Sequence, residues 1–275
     1  MAETWHRTYG RDRIDIPSGV VATLALWPHK SEGAAHAPDL GSYLASQPSH
    51  RWPPTVGQVA ASHWLRRPDL ISAAGPMLRW YTEDLSEDAL YAIKAVADTA
   101  IKHGVLLHTG DTNPYMRSQI DVMSWTLVCL RHLGGGSMLA EHHTPDDAAE
   151  TLVRLTMGDD PPVSGSLHEP TGGTGTIFRA IAQHLRERGI DPGNWKWSLQ
   201  DLDPLAVAGA AVNFLVWELG AGANVVCGNT LSEGDLTHRA LALRAEAETH
   251  RSVLLDQAEQ AAAYLRALRR LGAAS

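Results

Sequence analysis

Three features in the second half of the chain suit the binding of a nucleoside. A glycine-rich turn, Glu169-Pro170-Thr171-Gly172-Gly173-Thr174-Gly175, joins a short apolar segment to an amphipathic one. Glycines let the backbone turn tightly and approach a ligand, and the start of the following helix offers free N–H groups. Asp201 ends the next apolar segment, where a carboxylate can accept hydrogen bonds from ribose hydroxyls. Asn229 ends the segment after that, where an amide can pair with an adenine edge.

Each feature also has an ordinary structural explanation. The turn is compatible with a simple strand-to-helix connection, because Phe178 stands where a dinucleotide-binding fingerprint has its third glycine. The chain also lacks the Gly-Lys-Ser/Thr sequence of a phosphate-binding loop. Asp203 directly precedes Pro204 and is a natural helix N-cap, so we interpret Asp201 as the ligand and Asp203 as the cap. An Asn-Thr pair such as the one at Asn229 is common in turns.

The elements that carry these residues alternate between strand and helix. The sequence predicts strands at Leu167-His168, Trp195 to Leu199 and Asn224 to Cys227. Helices are predicted from Ile177 to Arg188 and from Pro204 to about residue 219. This alternation is typical of a parallel sheet, so we expect an α/β protein with a partial Rossmann-like sheet.

The residues before this region read as mostly helical. Helical spacing is clear from Ser86 to His103 and from Gln119 to Leu133, whereas Lys30 to Pro54 reads as a long surface loop. Three consecutive glycines, residues 134–136, predict a domain boundary. We therefore expect a helical N-terminal domain over residues 1–135 and a Rossmann-like domain over residues 136–275.

The predicted sheet is incomplete. Only 44 residues follow Leu231, and Leu236 to Leu271 read as one long amphipathic helix or a helix pair. This length cannot supply four more parallel strands, because each crossover needs a dozen or more residues. The first strand would therefore have an open edge. We expect the C-terminal helix, the segment Gly104–His108 or a partner to cover it.

Four short segments together are similar to the adenine-N6 DNA methyltransferases. They are Ala140-Glu141-His142-His143-Thr144-Pro145, the glycine turn from Glu169 to Gly175, Gln200-Asp201-Leu202-Asp203-Pro204 and Gly228-Asn229-Thr230-Leu231. In order and spacing they resemble the modification subunits of type I restriction systems. Those subunits carry a Phe-Tyr-Thr-Pro box, an Asp-Pro-x-x-Gly-x-Gly turn, an acidic strand end and a Gly-Asp-Thr-Leu strand end. The resemblance covers roughly residues 135–231.

The resemblance implies S-adenosylmethionine (SAM) as the cofactor and a DNA adenine as the methyl acceptor. The residues that it places at the SAM site come from all four segments. They are Thr144, Pro145, Glu169, Thr171, Gly172, Gly173, Gly175, Asp201, Leu202 and Asn229.

The chain departs from the family pattern at several of these positions. His142-His143 replaces the aromatic pair of the first segment, which removes an apolar wall. The adjacent histidines have no companion carboxylate or cysteine cluster, so we expect no metal site. Glu169 replaces an aspartate and still accepts hydrogen bonds, and Asn229 replaces an aspartate with an amide whose oxygen can pair with an adenine amino group.

A larger departure is the missing catalytic tetrad. The family holds the target adenine with an Asn/Asp-Pro-Pro-aromatic loop after the fourth strand, and no such loop follows Leu231. Asp160-Pro161-Pro162-Val163 ends in valine and precedes the glycine turn, and Asn113-Pro114-Tyr115 lacks the second proline. We interpret both as loop prolines, which leaves the catalytic residues unknown.

Two functions therefore remain open. One is a SAM-dependent enzyme that methylates DNA adenine. Without the Asn/Asp-Pro-Pro-aromatic loop, the reaction would depend on holding the methyl group of SAM close to the adenine amine and in line with it. The other is a non-catalytic SAM-binding or scaffold subunit, which joins a partner through its sheet edge and C-terminal helix. A small-molecule methyltransferase is a weaker third reading. In each of the first two readings we expect an oligomer or a complex with a partner subunit.

Composition and charge limit the class of protein. The 275 residues are 44% hydrophobic and 20% charged, which is typical of globular domains. With no apolar run of about 18 residues and no apolar segment near the start, we expect no membrane span and no secretory signal. Cys129 and Cys227 lack a metal-binding spacing and suit a reducing cytoplasm. A net charge of −8 makes unaided DNA binding unfavourable, so we expect DNA contact through a local patch or a partner.

Overall fold

A parallel three-stranded sheet lies near the C-terminal end of a mostly helical molecule. The computed structural model of the chain describes residues 1–10, 12–32, 38–133 and 144–272. The sheet has the order β1-β2-β3, with β1 at Ser166–Glu169, β2 at Lys196–Asp201 and β3 at Ala223–Cys227. Both strand pairs are parallel, with Leu167 opposite Trp197 and Leu199 opposite Val225. The chain is therefore a mixed helix–sheet protein with a small parallel sheet, in line with the predicted α/β class, while the Rossmann-like arrangement stays a prediction.

Helices fill the chain before the sheet. They are α1 (Ala2–Thr8), α2 (Asp15–Ala25), α3 (Pro38–Ser46), α4 (Trp52–Trp64), α5 (Pro68–Ala73), α6 (Gly75–Leu78), α7 (Glu87–Lys102), α8 (Val105–Thr109), α9 (Pro114–Arg117), α10 (Val122–Leu133) and α11 (Asp146–Met157). The helix predicted from Ser86 is confirmed, since the Ser86 side chain accepts a hydrogen bond from the amide of Ala89 and caps α7.

The loop predicted over Lys30 to Pro54 is wrong, because α3 and the start of α4 lie within it. Prolines suggested a loop, yet Pro53 occupies the first turn of α4. A proline is tolerated there because the amide it lacks would have no partner within the helix.

The helices after β1 cover both faces of the sheet. They are α12 (Thr176–Glu187), α13 (Pro204–Val216), α14 (Thr230–Glu233) and α15 (Thr237–Gly272). Phe178 of α12 meets Trp197 of β2 edge-on, with ring centroids 5.2 Å apart. On the opposite face, Leu236, which directly precedes α15, and Ala240 in the first turn of α15 form a small buried cluster with Val226 of β3.

The N-terminal helices and the sheet share one core. A single cluster of buried apolar side chains runs from Trp5 in α1 to Val225 in β3. The predicted boundary at the three glycines, residues 134–136, lies outside the described residues, so the division into domains at residue 135 stays a prediction.

The first strand occupies one edge of the sheet. Among the described residues β1 pairs only with β2. The segment expected to cover it at Gly104–His108 forms most of α8, which packs against α2, α7 and α9. The C-terminal helix packs on β3 and β2 instead. Neither adds a strand beside β1, so within the described ranges the outward-facing backbone groups of β1 have no pairing strand.

No helix in the described ranges combines the length and the apolarity required to cross a bilayer. Cys129 and Cys227 are both exposed free thiols.

Candidate functional site

The glycine-rich turn lies at the carboxyl end of β1 and leads directly into α12. Gly173 and Gly175 adopt left-handed backbone conformations, with φ values of 56° and 95°. The amide of Gly172 donates to the carbonyl of Gln200 at 3.0 Å, which ties the turn to β2. A Cβ atom on Gly172 would lie 2.6 Å from Leu199, whereas one on Gly173 would meet no atom within 4 Å. The fold itself thus requires glycine at 172, and the backbone at Gly173 is open to a ligand.

Asp201 connects the turn to the end of β2. One carboxylate oxygen accepts a hydrogen bond from the amide of Gly173 at 2.8 Å, and the other accepts one from the amide of Asp203 at 2.9 Å. Each oxygen has a second acceptor position, so the carboxylate can still bind hydroxyl groups. The half-buried Asp201 therefore holds the turn in place and keeps free acceptor positions at the carboxyl end of β2.

Asp203 is the N-cap of α13, as predicted. Its carboxylate accepts hydrogen bonds from the amides of Leu205 and Ala206, both at 3.0 Å. It also forms an ion pair with Arg131 of α10. The predicted cap at Asp203 is therefore confirmed, and the ligand role of Asp201 stays a prediction.

Glu169 is a half-buried carboxylate beside Asp201. Among the described residues it has no hydrogen-bond partner. Burial raises the pKa of Glu169, and the charge of Asp201 reinforces this rise while His168 opposes it. A carboxylate in this state attracts a cation, because pairing offsets the cost of burying its charge.

Asn229 caps the short helix α14. Its side-chain oxygen accepts a hydrogen bond from the backbone amide of Leu231 at 3.0 Å, and its backbone N–H donates to the carboxylate of Glu233 at 2.7 Å. Beside it, the hydroxyl of Thr230 donates to the carbonyl of Pro170 at 2.5 Å. Of the two roles considered for Asn229, ligand and turn former, the structure shows the turn. This turn joins the end of β3 to the glycine turn.

Two leucines at this edge are exposed to solvent. Leu202 follows β2 and is 53% exposed, and Leu231 follows β3 and is 99% exposed. Thr171 on the glycine turn is also exposed. Both leucines are therefore accessible to a molecule that binds at this edge.

The first segment of the resemblance is described only in part. Thr144 and Pro145 are exposed and precede α11, while residues 140–143, including the two histidines, lie outside the described residues. The buried Arg179, one turn into α12, pairs with Asp146 at 3.0 Å. This contact brings the start of α11 to the end of α12 that carries the glycine turn.

A buried carboxylate on the N-terminal helices supports the turn from behind. Asp121 is fully buried and accepts hydrogen bonds from the hydroxyls of Thr174 and Thr176, at 2.8 and 3.0 Å. It also accepts from the side-chain amide of Asn213 and from the amide of Ser124, both at 2.8 Å. Burial raises the pKa of Asp121, and these four hydrogen bonds oppose that rise. The glycine turn is thus anchored to α10 and α13.

Sequence reasoning missed this buried network. One signal was present, since Asn213 is a lone amide in the otherwise apolar helix α13. A buried amide requires partners, and here they are Asp121 and the carbonyl of Thr174, which accepts from the same amide nitrogen at 2.9 Å.

The site is an open edge of the sheet. A groove of about 500 Å³ lies between α5, α15 and the outer side of β3, and a cavity of about 180 Å³ lies between α11 and α12. Neither is lined by Glu169, by Gly172–Gly175 or by Asp201. A ligand at the turn would therefore lie outside both of these cavities.

Neither tetrad-like segment lies among the residues that form this edge. Asp160-Pro161-Pro162-Val163 precedes β1, at the amino end of the strand, whereas the glycine turn lies at its carboxyl end. Asn113 caps α9 through a hydrogen bond from the amide of Tyr115 at 2.9 Å. Both segments therefore have ordinary structural roles as turn and cap.

Within the described residues, no three His, Cys, Asp or Glu side chains are arranged to hold a metal ion. Comparison with protein-family models gives no match for the chain, and no curated protein is significantly similar to it in sequence.

Proposed function

We propose that the chain binds SAM at the carboxyl edge of its sheet and belongs functionally with the adenine-N6 DNA methyltransferases. The observation that carries the proposal is the left-handed glycine turn, which is open at Gly173 and hydrogen-bonded to Asp201. The parallel order of the three strands supports it, because nucleotides bind at the carboxyl ends of parallel strands in open α/β sheets.

The chemistry of the surrounding residues matches the parts of SAM. The ribose hydroxyls donate to the remaining acceptor positions of Asp201. The adenine packs on Leu202 and Leu231, which are otherwise exposed. The α-ammonium group pairs with Glu169, the carboxylate that lacks a partner among the described residues. Thr144, Pro145 and Thr171 complete the rim of the site.

Calorimetry with SAM tests this site, and Glu169→Gln is the informative variant. It removes a charge without breaking any hydrogen bond described within the chain. We expect it to weaken SAM binding by about tenfold, the typical effect of a charged hydrogen bond worth about 1.5 kcal/mol. Binding to the unmodified chain should strengthen as the pH rises through the raised pKa of Glu169, and the variant should lack this dependence.

Asp203→Ala is the matched control, since it removes a carboxylate two residues from the proposed ligand Asp201. It should lower stability and leave the affinity for SAM unchanged. Absence of SAM binding to the unmodified chain at millimolar concentration would refute the proposal.

The open edge of β1 favours a second candidate, a SAM-binding subunit that works with a partner. In this reading the partner supplies a surface beside β1, the loop that holds the adenine base and the basic surface that binds DNA. A net charge of −8 supports it, because an acidic chain binds phosphates poorly on its own. Incubation of the pure chain with labelled SAM and adenine-rich DNA separates the candidates: methyl transfer supports the enzyme, and binding without transfer supports the subunit.

A further inference from the structure

The groove of about 500 Å³ runs along the outer edge of β3, between α5 and α15. In the described part of the chain β3 pairs with β2 on one side and with no strand on the other. The residues of α15 that line the groove extend from Arg239 to His250, which corresponds to about 16 Å of helix. This length accommodates about five residues of an extended chain, at about 3.3 Å per residue.

Alternate residues of β3 direct their backbone groups towards the groove. The carbonyl of Gly222 accepts a hydrogen bond from the amide of Trp197, and the amide of Gly228 donates to the carbonyl of Asp201. The even-numbered residues of this segment therefore face β2, because the residues of a parallel strand alternate between its two neighbours. The odd-numbered residues face outward.

Arginine side chains cover the first of the outward-facing groups and leave the later ones unpaired. Arg244 donates to the carbonyl of Ala221, and Arg67 donates to the carbonyl of Ala223 at 2.5 Å. Val225 is 8% exposed, yet its backbone N–H and C=O have no hydrogen-bond partner among the described residues. Buried backbone groups rarely stay unpaired, so these two require a partner from outside the chain.

Two further polar groups of β3 lie at the groove. Cys227 faces outward like Val225, and within the described ranges its backbone N–H and C=O are also unpaired. The side chain of Asn224 is buried and lies on the same face of the sheet as Val226, which packs on α15. Its Nδ2 donates to the carbonyl of Gly222 at 3.1 Å, whereas its Oδ1 has no partner.

The two walls of the groove are apolar and carry opposite charges. Leu70 and Pro76 belong to the wall formed by α5 and α6, and Leu243 belongs to the wall formed by α15. Arg79 lies on the first wall, directly after α6, and Glu246 lies on the second. Neither charge has an ion-pair partner in the part of the chain that the structure describes.

We propose that the groove binds an extended peptide segment of a partner protein, about four residues long, which adds a strand to β3. Val225 and Cys227 are two residues apart, the spacing at which an edge strand forms hydrogen bonds with an added strand. A peptide backbone offers N–H and C=O groups at the same spacing and thus pairs with both residues. The proposal is independent of SAM binding, because the groove is lined by none of Glu169, Gly172–Gly175 and Asp201.

The charges of the walls define the chemistry of the peptide. Successive side chains of an added strand point to opposite faces of the sheet. One set would lie towards α5 and Arg79, and the other set towards α15, Glu246 and the free Oδ1 of Asn224. The peptide therefore combines aliphatic residues with an acidic residue on the first face and a basic residue on the second.

NMR on the isotope-labelled full chain tests the binding. The probe is a pool of acetylated and amidated tetrapeptides, each with two aliphatic residues, one glutamate and one lysine, in every order. We expect at least one order to bind with a Kd below about 1 mM and to slow amide exchange at Val225 and Cys227 by about tenfold or more at saturation. Failure of every order to bind, or binding that leaves both amides unprotected, would overturn the proposal.

Backbone methylation of the peptide that binds best separates strand pairing from apolar contact. In an added strand, alternate N–H groups face β3 and the others face away. Methylation of one alternate set should therefore weaken binding by about tenfold or more, and methylation of the other set should be tolerated. Equal effects of the two sets would exclude strand pairing and show that the groove holds the probe by its side chains alone.

A pair of variants on α15 tests the location. Ala247 lines the groove, whereas Ala245 is exposed on the same helix and does not line it. Ala247→Trp should fill the groove and abolish binding of the peptide, and Ala245→Trp should preserve it. Thermal unfolding checks that both variants fold. Equal binding of the peptide by the two folded variants would contradict its placement beside β3.

Discussion

Asp121 gives the sharpest test of how the helical region supports the glycine turn. Replacing it with alanine removes the acceptor for the hydroxyls of Thr174 and Thr176, which donate to no other group among the described residues. Each buried donor left without a partner costs about 1–3 kcal/mol. The bonds to Asn213 and Ser124 are lost as well, and the relief of burying a charge offsets part of the total. We expect Asp121→Ala to lower the free energy of unfolding by about 3 kcal/mol.

Urea unfolding at neutral pH measures this change, with two comparisons. Asp121→Asn keeps one oxygen acceptor and presents an amide to the threonine hydroxyls, which can rotate to accept, so it should cost about 1–2 kcal/mol. Asp84→Ala, at an exposed aspartate, should change stability by less than about 0.5 kcal/mol. A loss below about 1 kcal/mol for Asp121→Ala would refute the anchoring role.

Three further predictions concern the turn, a buried lysine and a helix cap. Gly173→Ala should lower the free energy of unfolding by about 1 kcal/mol, because alanine is strained in a left-handed backbone even where space is free. Gly175→Ala should lower it more, because the φ of 95° lies further from the region that alanine tolerates. Thermal unfolding compares the two variants. Burial and the charge of Arg117 lower the pKa of Lys30 to about 7, so the native state binds fewer protons than the unfolded state above that pH. Stability should therefore rise from pH 7 towards pH 10, and Lys30→Met should remove this rise in a series of melts. Asp203→Ala should cost about 1–2 kcal/mol through the lost cap of α13, and a loss smaller than about 0.5 kcal/mol would contradict the capping role.

The elements around the site follow from local sequence patterns. β2 alternates polar and apolar residues and β3 is mostly apolar, and both patterns are typical of strands. α12 and α13 begin at turn residues with strong local preferences, namely Gly175 and Asp203. Asp203 could be assigned as a cap because capping joins residues two or three positions apart. The error over Lys30 to Pro54 has the same local origin, since a proline is compatible with both a loop and the first turn of a helix.

The role of Asn229 shows where a local pattern leaves alternatives. A polar residue at a strand end suits both a ligand and a cap, and in the structure its side-chain oxygen accepts hydrogen bonds from the backbone of α14. Glu169 is the opposite case. Its sequence context resembles a cofactor turn, and only its burial without a described partner indicates a need for a cation.

The sequence by itself determined the alternation of strands and helices around the sheet, the parallel direction of the strands and the tight glycine turn, because propensity, capping and glycine conformation act between near neighbours in the chain. Only the tertiary structure decided what supports and surrounds that turn. Asp121 reaches Thr174 across 53 positions and Asn213 across 92, and no local pattern encodes such contacts. The edge position of β1 and the exposure of α15 from Ser252 onward were likewise decided by the tertiary structure, because exposure depends on where every other element packs.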